Sequence, residues 1–205
     1  MWSRPSAMTN VGKLVIISGP SGSGKSTVVQ KLLEESELPL LLSVSATTRP
    51  PRLGEENGKN YIFLSNDEFQ KLRHSGEFLE CKEVFGRGYW YGTLRNVVSS
   101  GLNEGKWVVL EIDVQGALAV LQDYPQAITI FVHPGSMAEL ERRLRNRGTE
   151  TQESIQRRLD VAAEELALRH HYTHEVINDQ IYTTAQHLCK LLVQYQGEKI
   201  PCSKN

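Results

Sequence analysis

The sequence predicts an α/β fold built on a parallel core sheet, and three observations carry that expectation. Short apolar runs recur at "KLVIIS", "LLLSV", "WVVLEIDV" and "AITIFV". Each is too continuous for a strand wet on one face, which would alternate. The segments between them carry helical spacing, as a parallel sheet covered on both faces requires. At 205 residues the chain can bury a full core, as one domain with room for an inserted lobe.

Taken in order, "KLVIIS" is a buried strand, and "GPSGSGKST", Gly19 to Thr27, follows it directly. "KSTVVQKLLEE" then reads as a helix with Val28, Val29, Leu32 and Leu33 inward. From Thr47 to Thr93 the texture changes to Pro, Gly and charge, with short segments expected to pair antiparallel, so this stretch is read as an inserted lobe. Within it "YIFL" is a strand, and "SNDE" at Ser65–Glu68 is a capping box opening a helix that ends near Gly76. "EFLECKEVF" is a half-exposed strand before a turn at Gly86–Gly88, and the chain returns to the core at "WVVLEID". "SMAELERRLRNRG" is amphipathic through Met137, Leu140 and Leu144, with Gly148 as its C-terminal cap. "TETQ", Thr149–Gln152, is expected to cap the next helix, whose face carries Ile155, Leu159, Ala162 and Leu166. A short strand in "EVIND" and a helix in "TTAQHLCKLLVQY" complete the pattern.

A formal net charge of -1 leaves no global field to draw the chain onto nucleic acid or an anionic membrane, so anion recognition must be local. Cys81, Cys189 and Cys202 are scattered and lack Cys-x-x-Cys spacing, which reads as free thiols in a reducing compartment and argues against a zinc site. "MWSRPSAMTN" has no apolar core of a signal peptide, and no run approaches the ~20 residues needed to span a bilayer. The expected location is the cytoplasm.

The chemistry begins at the glycine loop. A strand followed by Gly-x-x-x-x-Gly-Lys-Ser is a phosphate-binding loop formed by Gly19, Pro20, Ser21, Gly22, Ser23 and Gly24, in which the backbone N–H groups, Pro20 having none, turn onto a phosphate. Lys25 then reaches the terminal phosphates, Ser26 ligates Mg2+, and Thr27 adds a further contact. The following helix turns its positive dipole end to the same anion. The alternative is a glycine-rich turn with a solvated lysine.

Glu111 and Asp113 end a buried strand, where a carboxylate can serve Mg2+ or a base, while Asp113 also suits the N-cap of "VQGALAVL". Arg49, Arg52, Lys59 and Tyr61 form either a second anion seat or a solvated loop. Arg142, Arg143, Arg145 and Arg147 crowd one helix end, with Arg157 and Arg158 on the next helix. Like charges four apart repel by roughly 0.2–0.5 kcal/mol on a free helix, and an anion between them reverses the sign. A helix C-terminus tolerates cations on its own, but a hairpin of helices bearing arginines resembles a lid over transferring phosphates. His170, His171 and His174 lack a partner carboxylate pattern and read as surface or cap residues. Tyr89, Trp90 and Tyr91 serve as lobe core or as a stacking surface.

"SVSATTRPPRLGEENGKNYIF", "LEIDVQGA" and "RNRGTET", in this order with the glycine loop, resemble the guanylate kinases from about Leu14 to the last helix. The resemblance implies a P-loop nucleoside monophosphate kinase fold. Its core covers about 12–46, 94–136 and 160–196, its GMP-binding lobe about 47–93 and its lid about 137–159. The implied reaction moves the γ-phosphoryl of ATP, bound with Mg2+, to GMP and also dGMP, giving ADP and GDP in purine nucleotide recycling, with no nucleic-acid or membrane partner. Carried onto this chain, the acceptor-phosphate contacts fall on Arg49, Arg52, Tyr61 and Tyr91, and the guanine contacts on Ser45, Glu80, Thr93 and Asp113. Glu55 matches the lobe acid, Arg147 and Arg158 the lid arginines with Arg143 a third, and Asn178 a position near the adenine. Guanine offers donors at N1 and N2, which suit Glu80, whereas adenine would meet that carboxylate acceptor to acceptor. No general base is needed, because a phosphate monoester with second pKa ~6 is already largely dianionic at neutral pH.

The chain departs from the family in a longer "GRGYWYG" turn, in His133 and Gly135 where a proline pair is usual, and in Glu175 opening a strand that is normally apolar. The first ten residues have no counterpart, which makes Met8 an alternative start to Met1. An intact Gly24-Lys25-Ser26 separates the chain from guanylate-kinase-like scaffold modules, which lose that loop, though not from P-loop kinases of other small acceptors.

Overall fold

Strand β1 (Lys13–Ser18) is buried along its whole length at the centre of the main sheet of the computed structural model, which describes residues 12–84, 88–146 and 151–196. Its alternate side chains serve two cores, because successive strand residues point to opposite faces. Val15 and Ile17 pack with Val28, Val29 and Leu32 of α1 (Lys25–Glu35) and with Leu188 and Leu192 of α7 (Ile181–Gln194). Leu14 and Ile16 pack with Val98 of α3 (Arg95–Asn103) and with Val114, Ala117 and Val120 of α4 (Val114–Asp123). Full burial of each such side chain contributes about 1.5–3 kcal/mol. Strands β7 (Trp107–Glu111) and β8 (Ile128–His133) flank β1, and β2 (Leu40–Leu42) and β9 (His174–Ile177) lie outside them. Every pairing in this five-stranded sheet is parallel, as the apolar runs require.

A second sheet of four strands has the order β4-β3-β6-β5, formed by β3 (Ala46–Thr47), β4 (Ile62–Phe63), β5 (Phe78–Val84) and β6 (Tyr89–Leu94). The expectation of antiparallel pairing holds for β3–β6 and β5–β6, whereas β3–β4 is parallel. The long loop 48–61 makes a parallel return possible, which a tight hairpin could not. One face of this sheet is dry. Ala46, Phe78 and Leu94 pack there on Phe69 of α2 (Asn66–His74), the Phe69 and Phe78 rings stacked 4.4 Å apart. The Ser65–Glu68 capping box is present in full, and the helix gives way at Ser75 to Gly76, whose φ of 72° is the left-handed conformation glycine adopts without strain.

The pairing of β5 with β6 carries an extra residue, since Phe78 faces Leu94 but Glu80 faces Thr93. Such a bulge reverses the side-chain alternation. Phe78 therefore enters the dry core, Leu79 joins the main-sheet cluster beside α4, and Glu80 stands on the open face.

Helices α5 (Met137–Asn146) and α6 (Gln152–Ala167) form a smaller cluster of Leu140, Leu144, Ile155 and Ala162 with Met137 and Leu159. Leu166, expected on the same face, packs instead in the main-sheet cluster, so α6 links the two. The N-cap of α6 is Thr151, which accepts from the Ser154 amide, rather than Thr149; a hydroxyl adjoining the first helical residue can reach the third amide, and one two residues earlier cannot. Arg147, Gly148 and Thr149 lie outside the described residues, as do Met1, Met8, Gly86 and Cys202.

The two unusual residues of the core strands meet. Nε2 of buried His133 lies 3.0 Å from Glu175 Oε1, a close contact without hydrogen-bond alignment, and Arg169 Nε stands 3.4 Å from the same oxygen.

Candidate active site

The loop after β1 is shaped by close backbone approaches. A Cβ on Gly19, at φ 134°, would lie 2.1 Å from the Val132 carbonyl oxygen of β8, so a side chain there would push β1 and β8 apart. Gly24, at φ 88° and ψ 15°, is the N-cap of α1 and offers no capping side chain. The first amides of α1 therefore keep donors for an anion. Asn178, at the end of β9, is buried and donates from Nδ2 to the Ser23 carbonyl at 2.8 Å. Arg143 of α5 reaches the same carbonyl at 3.3 Å and the Asn178 carbonyl at 2.7 Å, while its Nε is held by Glu139 at 2.7 Å.

Lys25 folds back over the loop and donates to the carbonyls of Gly19 at 2.5 Å and Pro20 at 2.8 Å. Burial holds its pKa below that of a free lysine, against the opposing pull of Glu111, Glu165 and Asp113. Ser26 donates to Glu111 Oε1 at 2.5 Å, across the edge where β1 and β7 pair Ile17 with Glu111. A hydroxyl and a carboxylate side by side are hard oxygen donors of the kind that suit Mg2+. Arg158 of α6 reaches Ser21 Oγ at 2.7 Å. These groups line a cleft of about 540 Å³ with Gly22, Thr27, Lys82, Asp113 and Glu165.

A second constellation stands on the open side of the small sheet. Arg49 is nearly buried, and all three of its nitrogens are placed. Nε donates to the Tyr91 hydroxyl at 3.1 Å, one terminal nitrogen to the Pro50 carbonyl at 2.7 Å and the other to Glu55 Oε1 at 2.9 Å. The guanidinium lies 5.3 Å from the Tyr61 ring centre, and Tyr61 meets Tyr91 edge-on at 5.7 Å. Glu55 also accepts from the Arg52 amide at 2.7 Å, so it braces the loop that carries both arginines, while Arg52 itself is exposed. Its bond to Arg49 holds the Glu55 carboxyl below its usual range. Three of the five Arg49 donors are thus used by the protein, which leaves two for an anion.

Beside them, Thr93 donates to Glu80 Oε1 at 2.7 Å. A Cβ on Gly116 would stand 3.1 Å from Glu80 Oε2, so this glycine in the first turn of α4 makes room for the carboxylate. Asp113 caps α4, accepting from the Gly116 amide at 2.9 Å, and its other oxygen is ion-paired with Lys82. Both earlier readings of Asp113, as cap and as a site carboxylate, are compatible with that position. Ser45 is half-buried just before β3.

The structure thus brings most of the expected residues into two adjoining groups; the Arg52 side chain is exposed, Ser45 forms no side-chain hydrogen bond with either group among the described residues, and Arg147 lies outside them. Two residues escaped sequence reasoning. Lys82 is two positions along the strand from Glu80, and period-two spacing would have put both on one face. Glu165 is two helical turns beyond Arg158 on the same face of α6 and lines the cleft, its carboxyl pushed up to about 7 chiefly by burial. His174 bonds the Tyr195 hydroxyl at 2.6 Å, and no group of His, Cys, Asp or Glu among the described residues has the arrangement of a metal site. No helix among those residues is long and apolar enough to cross a membrane, and Cys81 and Cys189 are free.

A glycine loop between a central parallel strand and a helix, with a lysine, a hydroxyl and a carboxylate at its rim, defines the P-loop nucleotide-binding proteins. The match to known proteins is narrower. The family profile described as guanylate kinase fits residues 11–195. A guanylate kinase of Rhodopirellula baltica is 56% identical over 95% of this chain and 93% of its own length, and one of Caldanaerobacter subterraneus subsp. tengcongensis is 44% identical over 95% and 91%. The crystal structure of guanylate kinase from Anaplasma phagocytophilum superposes with a TM-score of 0.74 at 34% identity, covering 93% of this chain and 89% of that one. The chain belongs to the guanylate kinase family.

Proposed function

We propose that this chain transfers the γ-phosphoryl group of ATP to GMP, and to dGMP, giving ADP and GDP. The observation that carries the reading is the junction of the two groups, because the cleft lined by Lys25, Ser26 and Arg158 extends to Asp113 and Lys82 beside Glu80. A transferase needs both seats in one cleft.

In this reading the free amides between Gly19 and Thr27, to which Pro20 adds none, grip the ATP phosphates with Lys25, which exchanges the Gly19 and Pro20 carbonyls for phosphate oxygens. Ser26, with Glu111, would hold Mg2+, which when bound neutralises charge on the phosphates. Asn178 serves ATP by fixing the Ser23 carbonyl and thereby the curvature of the loop. Arg49, Arg52, Tyr61 and Tyr91 receive the GMP phosphate, with Glu55 holding Arg49 in place before substrate arrives. Ser45, Glu80, Thr93 and Asp113 read the base. Arg158, with Arg147, supplies charge to the equatorial oxygens as the phosphoryl group moves. Residues 47–93 then form the acceptor lobe, 137–159 the lid, and 12–46, 94–136 and 160–196 the core. A role in nucleotide recycling in the cytoplasm goes with this activity.

The test is ADP release with ATP, Mg2+ and each monophosphate in turn. GMP is expected to exceed AMP in kcat/KM by about 10²-fold or more, the scale set by leaving a site carboxylate unpaired. Equal or better use of AMP would overturn the assignment.

A further inference from the structure

We infer that Lys82 is a positioning residue for the acceptor nucleotide: its ammonium, paired with Asp113 and projecting beside Glu80, holds and balances the two carboxylates that read the base. The inference rests on the assignment of Glu80 and Asp113 as base contacts, and goes beyond it in giving recognition a cation.

The bulge at the start of β5 turns Glu80 to the open face, and strand alternation puts Lys82 on that face too, opposite Tyr91 in the register with β6. Its aliphatic stem crosses from the small sheet to the head of α4, where the ammonium meets the Asp113 oxygen that the helix cap does not use. It lines the same cleft as Lys25, Asp113 and Glu165.

The corner needs a cation. Gly116 lets the Glu80 carboxylate approach the turn capped by Asp113, which brings two anionic groups together. The groups facing Glu80 are Thr93 from β6, Asp113 from the head of α4 and Lys82 from its own strand. Burial first, and then Asp113, raise the proton affinity of Glu80, and the Thr93 hydroxyl and the Lys82 charge oppose them. A protonated Glu80 would turn an O–H toward the guanine N1–H, donor against donor, and recognition would fail. Lys82 therefore favours the ionised form that accepts from the base, and fixes Asp113 where it can do the same.

The experiment is steady-state kinetics of Lys82→Met and Lys82→Arg between pH 6 and 8, with Glu80→Gln alongside. Methionine keeps the stem and removes the charge. Lys82→Met is expected to raise KM for GMP about tenfold at pH 7 and to leave kcat and KM for ATP within about twofold, the scale of one partly screened charge pair. The rise should be larger at pH 6 than at pH 8, because loss of the cation moves Glu80 ionisation upward, and Lys82→Arg should recover most of it. An unchanged KM for GMP, or a rise that is independent of pH and not recovered by arginine, would overturn the assignment. If Glu80→Gln also leaves KM for GMP unchanged, the base-reading assignment fails and the role of Lys82 falls with it. If Glu80→Gln weakens GMP use and Lys82→Met does not, Lys82 alone is misassigned.

Discussion

The phosphate loop and the open face of the small sheet prepare for anions by opposite means. The loop uses main chain: its glycines allow approaches such as that of Gly19 to Val132, and its donors are the uncapped amides of α1. The open face uses side chains from β5, β6 and the loop 48–61, with Arg49 held by Glu55 and Tyr91, and Glu80 by Thr93. A main-chain site is ready whenever the strand and helix form. A side-chain site exists only when the register is right, and it can tell one base from another because each group is a separate choice of donor or acceptor.

If this contrast holds, damage to the first region should strike turnover and damage to the second should strike acceptor affinity. Lys25→Ala is expected to have the largest effect, lowering kcat by about 10²–10³-fold or more, because the ammonium acts on charge that develops as the phosphoryl group leaves. Single-turnover rates with saturating ATP and GMP would measure it, with circular dichroism to show that the fold is retained. A kcat within a few-fold of the parent chain would mean that the loop amides suffice.

Arg49→Lys comes next and tests the other region. Lysine keeps the charge but loses the planar fork that serves Tyr91, Pro50 and Glu55 at once. KM for GMP should rise about 10–100-fold while KM for ATP stays within about twofold, the loss expected of a bidentate site reduced to a point charge. Equal losses for both substrates would show that the two seats are not separable.

The same contrast explains what could be read from the chain. The phosphate loop is contiguous, so Gly19 to Thr27 announces both its structure and its chemistry in nine letters. The apolar runs likewise disclose a parallel sheet, because full burial of β1 leaves only apolar side chains between Lys13 and Ser18. The Ser65 capping box is a local bond pattern and is equally legible. The bulge between Phe78 and Glu80 is different. No residue type marks it; it is a compromise between two cores competing for Phe78 and Leu79, and it decides which way Glu80 points. Lys82 shares the face of Glu80 by simple alternation, but its partner Asp113 stands on another element, and the contact of His133 with Glu175 likewise joins residues that only the β8–β9 pairing brings together. The parallel β3–β4 pair was missed because the loop before it carries no helix to signal a crossover. Family resemblance suggested the proposed acceptor residues, while the structure shows that Glu55 braces Arg49.

The smallest effect concerns an anion on the wrong side of the comparison. Glu165 is a half-buried carboxyl lining the cleft with Lys25 and the other groups proposed to receive phosphates, and burial pushes its pKa up to about 7. An acid whose folded pKa lies above its unfolded value holds its proton longer in the folded state. Its cost to folding is therefore absent below about pH 4.5, grows as pH rises, and is complete above about pH 7. Glu165→Gln removes the titration and should flatten the decline of stability across that window. It should raise stability at pH 8 by about 1 kcal/mol after allowance for partial exposure, or about 2–4 °C in Tm for a chain of this size. Thermal denaturation of the two proteins at pH 5 and pH 8 measures the difference, which should be near zero at the lower pH. Parallel curves would mean that Glu165 is already ionised at pH 5 and that burial does not raise its proton affinity.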